Sequence, residues 1–200
     1  MTQHSDPVQH SFVEAAAVLQ AFLESPDGLP AVRRFAETAA ATLTKGGLLM
    51  SCGNGGSMCD AMHFAEEWTG RFRGNRKALP AVAFADPSQI TCIANDFGFD
   101  EIFARQVEAL GKPGDLLVAI STSGNSPNVL KAVAAAKRRG ITVVGLLGKG
   151  GGKLKSEVDI PIVVPLAESS DRIQEVHIKV LHIVIEAVER RLFPENYAKG

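Results

Sequence analysis

The sequence predicts an α/β fold: a three-layer sandwich on a doubly wound, flavodoxin-like five-stranded parallel sheet, with N-terminal helices and a long C-terminal helix. Two observations carry this. Short apolar runs at 48–52, 81–85, 116–121, 141–147 and 160–164 alternate with helical stretches, and each is apolar on both faces, as strands covered by helices on both sides must be. Right-handed crossovers then leave few topologies to choose among.

Taken in order, residues 1–10 are polar and expected to be flexible, leaving 11–200 as a single domain. Ser11-Phe12-Val13-Glu14 has the form of a capping box opening a helix to about Leu23. Pro26-Asp27-Gly28 stops that helix, and a second runs from about Pro30 to Lys45, where Gly46 and Gly47 can take a positive φ. The closing helix is read over 171–193.

At 200 residues, 46% hydrophobic and 22% charged, the chain can bury a full core. A formal net charge of -1 with scattered Lys and Arg argues against nucleic acid or an anionic membrane as partner. No apolar run approaches the roughly 20 residues a bilayer requires. Three cysteines without a CxxC pair and a polar 1–12 segment point to a reducing cytoplasm and no signal peptide.

One supersecondary unit is used twice. "LLMSCGNGGSMCDAM" and "LLVAISTSGNSPNVL" are each an apolar strand running into a Gly, Ser and Asn loop and then a helix. Loops at the carboxyl ends of parallel strands collect around ligands, so both are expected to face one pocket. In the second, Ser126-Pro127 is a helix start. The helix N-terminus and the hydroxyls of Ser121, Thr122 and Ser123 suit a phosphate monoester, with Gly124 allowing close backbone approach. A polar turn with an ordinary cap would explain Ser126 but not the other three hydroxyls.

Nucleotide motifs fail. Gly53-Asn54-Gly55 has Met58 at the third glycine position of a dinucleotide fingerprint. The stretch 145–156 lacks P-loop spacing, and Asp96-Phe97-Gly98 has no companion kinase motifs. No nucleotide cofactor is expected. His63 and Glu67 stand at i and i+4, on one helical face bordering the pocket. The closing helix offers Gln174, Glu175, His177 and His182; by angular projection Glu175 lies nearer His182 than Gln174 does, and His177 reads as a packed core histidine.

"SCGNGGSMCDAMHFAEEWTGRFR", "IANDFGFDEIF", "ISTSGNSPNVLKAV" and "DRIQEVHIKVLH" together resemble the sedoheptulose 7-phosphate isomerases (phosphoheptose isomerases) of the sugar isomerase, or SIS, domain superfamily, from the first helix to about Leu192. The resemblance implies a homotetramer with active sites at subunit interfaces. The implied reaction converts sedoheptulose 7-phosphate to D-glycero-D-manno-heptose 7-phosphate on the route to lipopolysaccharide or capsule heptose. By the same resemblance Ser121, Thr122, Ser123 and Ser126 hold the phosphate, and Asn54, Gly55, Gly56, Ser57, Asn95 and Asp96 line the sugar channel. His63, Glu67, Gln174 and His182 are the implied ligands of one Zn2+ per subunit, which selects Gln174 over Glu175. Glu67 and His182 are the acid/base pair, with Asp171 and Arg71 as accessory polar groups. Some relatives carry histidine where this chain has Met58. The rivals are a non-catalytic SIS module binding a sugar phosphate or a protein partner, and an isomerase of a shorter sugar phosphate.

Overall fold

The computed structural model describes residues 6–198. Helices α1 (Pro7–Glu24) and α2 (Gly28–Thr44) lead into β1 (Leu49–Gly53), α3 (Gly56–Thr69), β2 (Ala81–Ala83), α4 (Pro87–Phe97) and α5 (Ala104–Leu110). Then come β3 (Leu116–Ser121), α6 (Pro127–Arg138), β4 (Thr142–Leu147), the short α7 (Leu154–Glu157), β5 (Ile160–Val163) and α8 (Ser170–Leu192). All five strands pair in parallel, in the order β2-β1-β3-β4-β5. That is the flavodoxin-like order the sequence predicts.

The central strand shows why both faces had to be apolar. Leu116, Val118 and Ile120 of β3 join a core with Phe35, Phe64, Trp68 and Leu181, contributed by α2, α3 and α8. Leu117 and Ala119 point the other way, to Phe103, Val107 and Val133 beside α5 and α6. Period-2 alternation therefore feeds two hydrophobic cores rather than one core and solvent.

The capping box expected at Ser11 is not used. Asp6 caps instead, its carboxylate accepting the Val8 N–H at 2.9 Å, and Pro7 fills the first helical position, where a missing N–H costs nothing. Residues 7–10, expected to be flexible, are thus the first turn of α1; residues 1–5 of that stretch lie outside the described residues. The second helix starts at Gly28 rather than Pro30, because a proline in the first turn removes no intrahelical bond. Gly46 takes the expected positive φ, +76°. Strand β2 is only three residues long, since Asp86-Pro87 opens α4 directly after it, Asp86 accepting the Gln89 N–H at 2.9 Å.

Helix α4 has no buried residue, and Phe97 and Phe99 at its end are 54% and 58% exposed. No described helix is long and apolar enough to cross a membrane.

His177 is a core residue, as the sequence suggests: fully buried, with Nε2 3.1 Å from the Leu147 carbonyl at the end of β4. Burial pushes its imidazole down from 6.5 to about 4. The folded state thus resists protonation that the unfolded chain accepts, so this stability is whole above pH 6.5 and is lost as pH falls toward 4. Between pH 7.5 and pH 5 urea titration should show a loss of about 2 kcal/mol from this group. His177→Phe should remove that slope at little cost near neutrality, because Nδ1 has no partner and the Leu147 carbonyl keeps the Val164 N–H at 2.9 Å. An undiminished acid slope in the variant would assign it to other groups.

Candidate active site

The strand order reverses between β1 and β3, and ligands of open parallel sheets sit at that switch point. Both repeated loops meet there. A cavity of ≈ 290 Å³ is lined by Asn54, Gly55, Gly56 and Ser57 after β1, by Ser121, Thr122 and Ser126 after β3, and by Ser170 and Gln174 of α8. Two helix N-termini, those of α3 and α6, converge on it, a geometry that favours an anion.

The hydroxyls bond one another and nearby backbone rather than capping α6. Ser126 occupies the N-cap position of α6 but makes no cap bond; its Oγ pairs with Ser121 Oγ at 3.0 Å, correcting the expected cap. Thr122 Oγ1 reaches Ser170 Oγ at 3.2 Å. Ser123 differs: its Oγ accepts the Asn125 N–H at 3.2 Å, and it is absent from the cavity wall. The two loops are tied by a reciprocal amide pair, Asn54 Nδ2 donating to Asn128 Oδ1 at 2.9 Å and Asn128 Nδ2 to Asn54 Oδ1 at 2.8 Å. Ser121→Ala should therefore raise KM for a phosphorylated substrate about tenfold, the worth of one good hydrogen bond, and Ser123→Ala by less. Equal kinetics for both variants and the parent would remove the phosphate from this loop.

Further along α3, one turn brings His63 and Glu67 together, Nε2 to Oε1 at 3.2 Å. His182 arrives from α8, its Nε2 3.2 Å from that of His63, with the Phe72 ring 5.8 Å away centroid to centroid. The three ligand atoms lie within 4.8 Å of one another. Two imidazole nitrogens and a carboxylate oxygen are a donor set for Zn2+, and tetrahedral bonds of about 2.0 to 2.1 Å put two nitrogens about 3.3 Å apart, so these residues fit the metal. Burial, and then the neighbouring His63, hold the His182 imidazole below its ordinary value, with Glu67 opposing. A neutral ring follows at neutral pH.

Gln174 does not join them. It stands against α3 at Gly56, where an added Cβ would lie 2.6 Å from Gln174 Oε1, and its Nε2 is 3.5 Å from Ser57 Oγ. Eight residues separate it from His182, about 12 Å along one helix, so within one chain the expected four-ligand set is three. Glu175 is no substitute, being paired with Arg172 at 2.6 Å. That pair borders a larger groove of ≈ 450 Å³ between α1 and α8, which lacks the His and Glu cluster. Asn95 and Asp96 also miss the cavity: they sit exposed at the end of α4, Asn95 Nδ2 bonded to Asp96 Oδ1 at 2.8 Å. Asp171 is exposed beside Arg172 at 3.4 Å, and a hydrogen bond from Ser169 holds its carboxyl low. Arg71 is exposed.

The SIS domain family model matches residues 12–148. A phosphoheptose isomerase of Fusobacterium nucleatum is 54% identical over 182 residues, 91% of this chain and 93% of that protein. The chain belongs to the phosphoheptose isomerases. One from Escherichia coli is 51% identical over 94% of this chain and 98% of its own. Among solved structures, phosphoheptose isomerase GmhA from Neisseria gonorrhoeae superposes with a TM-score of 0.85 at 40% identity, over 91% of this chain and 96% of that one. The Francisella tularensis phosphoheptose isomerase gives 0.86 at 34% identity, over 92% and 96%.

Three residues of this phosphoheptose isomerase had escaped the sequence. Asp60 lies one turn before His63, with Oδ2 buried and unpartnered; burial pushes its carboxyl up to about 6, His63 pulling the other way. Its i, i+3 spacing to His63 was a usable signal. Asn128 and Arg76 gave none, since their roles depend on partners 74 and 113 residues away.

Proposed function

We propose that the chain interconverts sedoheptulose 7-phosphate and D-glycero-D-manno-heptose 7-phosphate, the first step toward nucleotide-activated heptose for lipopolysaccharide or capsule, in the cytoplasm. The observation that carries this is the convergence of Glu67 and His182, from helices more than a hundred residues apart in sequence, with ligand atoms within 4.8 Å of each other. A phosphate anchor formed by Ser121, Thr122, Ser126 and the two helix N-termini fixes the far end of the sugar, and remote binding of this kind can be used in the transition state.

Ketose-to-aldose conversion moves two protons. Glu67 removes one from C1 and returns it at C2, while His182 gives a proton to O2 and takes the one on O1. The two groups need separate protonation roles, and a single His182 ring nitrogen, the one not turned toward His63 and Glu67, can hand its proton to O2 and then take the one on O1. His63, Glu67 and His182 would hold Zn2+, whose Lewis acidity would polarise the substrate carbonyl. We assign the fourth ligand, Gln174, to a second copy, together with Asn95 and Asp96, in a homotetramer whose active sites lie between subunits. Supporting this are the length of α8 separating Gln174 from His182 and the bare surface of α4. Residues 11–200 act as one SIS domain in each subunit.

Incubating purified protein with sedoheptulose 7-phosphate and with shorter ketose phosphates, while following aldose formation, tests the assignment. Turnover should favour the heptose. Preference for a shorter sugar would make this a different isomerase, and binding without turnover a sensing module. Light scattering should give the mass of four chains, and metal analysis one zinc per chain.

A further inference from the structure

Beyond the acid/base pair, the loop after α3 holds a buried cation with a specific task. Both side chains of the Arg76–Glu189 ion pair are 0% exposed, with Nε 2.6 Å from Oε1. The rest of the guanidinium serves the end of α3. Nη2 donates to the Glu67 carbonyl at 2.6 Å and Nη1 to the Trp68 carbonyl at 2.8 Å, with a longer bond from Nη1 to Gly70 at 3.2 Å. The last carbonyls of a helix lack intrahelical donors and carry the negative end of its dipole. Arg76 therefore satisfies the backbone of the very residue whose side chain enters the active site.

The other end of the pair is equally placed. Glu189 follows His182 by seven residues, two turns along α8 and on nearly the same face. Its second oxygen accepts the Tyr197 hydroxyl at 2.8 Å, and burial together with Glu189 pushes that phenol up to about 12, so it stays a donor. The turn carrying Tyr197 is pinned in its own right, Asn196 Nδ2 donating to the Asn75 carbonyl at 3.1 Å beside Arg76. A chain of contacts thus runs from the Glu67 backbone through Arg76 and Glu189 to the helix of His182.

We propose that Arg76 is a positioning residue: by bonding the Glu67 carbonyl and the Glu189 carboxylate at once, it fixes the spacing between Glu67 and His182, with Tyr197 steadying Glu189. It touches no substrate. A planar fork with five donors can hold both partners, whereas a lysine ammonium is a single point. Groups that orient ligand-bearing side chains are typically worth 10- to 100-fold in metal affinity or activity.

This rests on the isomerase reading, and the test separates the two. In Arg76→Lys, assayed well below its melting temperature, kcat should fall about 10- to 100-fold with KM for sedoheptulose 7-phosphate within about twofold, since the phosphate loops are untouched. Zn2+ affinity, measured by chelator competition without any substrate, should fall about 10-fold. A folded Arg76→Lys protein with parental kcat and parental Zn2+ affinity overturns the proposal, as does a loss expressed in KM alone. Should the parent bind Zn2+ but make no aldose, the substrate assignment fails and the affinity ratio still decides Arg76. If Arg76→Lys does not fold, Tyr197→Phe decides: kcat reduced about three- to tenfold at unchanged KM supports the proposal, and parental kcat refutes it.

Discussion

Glu67→Gln and His182→Ala should each lower kcat by about 10² to 10⁴, the range over which a placed acid or base acts. Glutamine keeps the volume of Glu67 and can still reach His63, now 3.2 Å from the carboxylate, so packing survives while the proton acceptor and the anionic metal ligand are lost. Alanine at 182 deletes a side chain that is part-buried and whose neighbours are His63 and Phe72; the helix itself stays, alanine being its best former. Melting temperature and oligomer mass should therefore match the parent while turnover collapses. Because the two residues act on one proton circuit, the double variant should fall no more than about tenfold below the worse single. Near-normal turnover in either single variant would remove the acid/base assignment, and full additivity of the two losses would show that they act in separate steps.

The sheet was legible because its strands are buried on both faces, a pattern that survives without knowing any partner. The five runs fall within two residues of the strands observed. Helix starts were less legible at the N-terminus, where Ser11-x-x-Glu14 and Asp6-Pro7 are both valid openings and only one is used. At the site, His63 and Glu67 were readable from their i, i+4 spacing after a glycine-rich loop. The projection comparing Glu175 and Gln174 with His182 failed for a simple reason. Angles around a helix ignore the rise along it, and over seven or eight residues that rise is about 10 to 12 Å, so neither residue reaches the His182 cluster in its own chain. Arg76 was invisible because one of three arginines in a loop without periodicity carries no mark of its own, and its meaning comes wholly from Glu189 on a distant helix.

The glycine run that failed as a P-loop packs against the loop proposed to hold the phosphate, and Gly124→Ala should expose that contact. Gly124 has φ +65°, and a Cβ there would lie 1.9 Å from the Gly151 carbonyl oxygen. Gly152, at φ +53°, presses back, its own Cβ position 2.5 Å from the Ser123 carbonyl oxygen. The loop after β4 is thus seated backbone against backbone on the loop that holds Ser121 and Ser126. Two bonds hold it there, Leu154 N–H to the Gly124 carbonyl at 3.0 Å and Lys153 N–H to Asn125 Oδ1 at 3.0 Å. No flexible side chain can yield to an added methyl. The left-handed conformation costs an L-residue about 1 to 2 kcal/mol, and forcing two backbones apart adds about 1 to 3 more. A total of about 2 to 5 kcal/mol should appear as lost stability, or as a displaced loop with KM raised about thirtyfold or more and weakened inhibition by inorganic phosphate. Gly150→Ala is the matched control. Its φ is +78° but nothing lies within 4 Å of the added atom, so it should pay only the conformational cost and keep the parental KM. Equal behaviour of the two variants would mean that conformation alone matters at Gly124 and that the two loops do not brace each other.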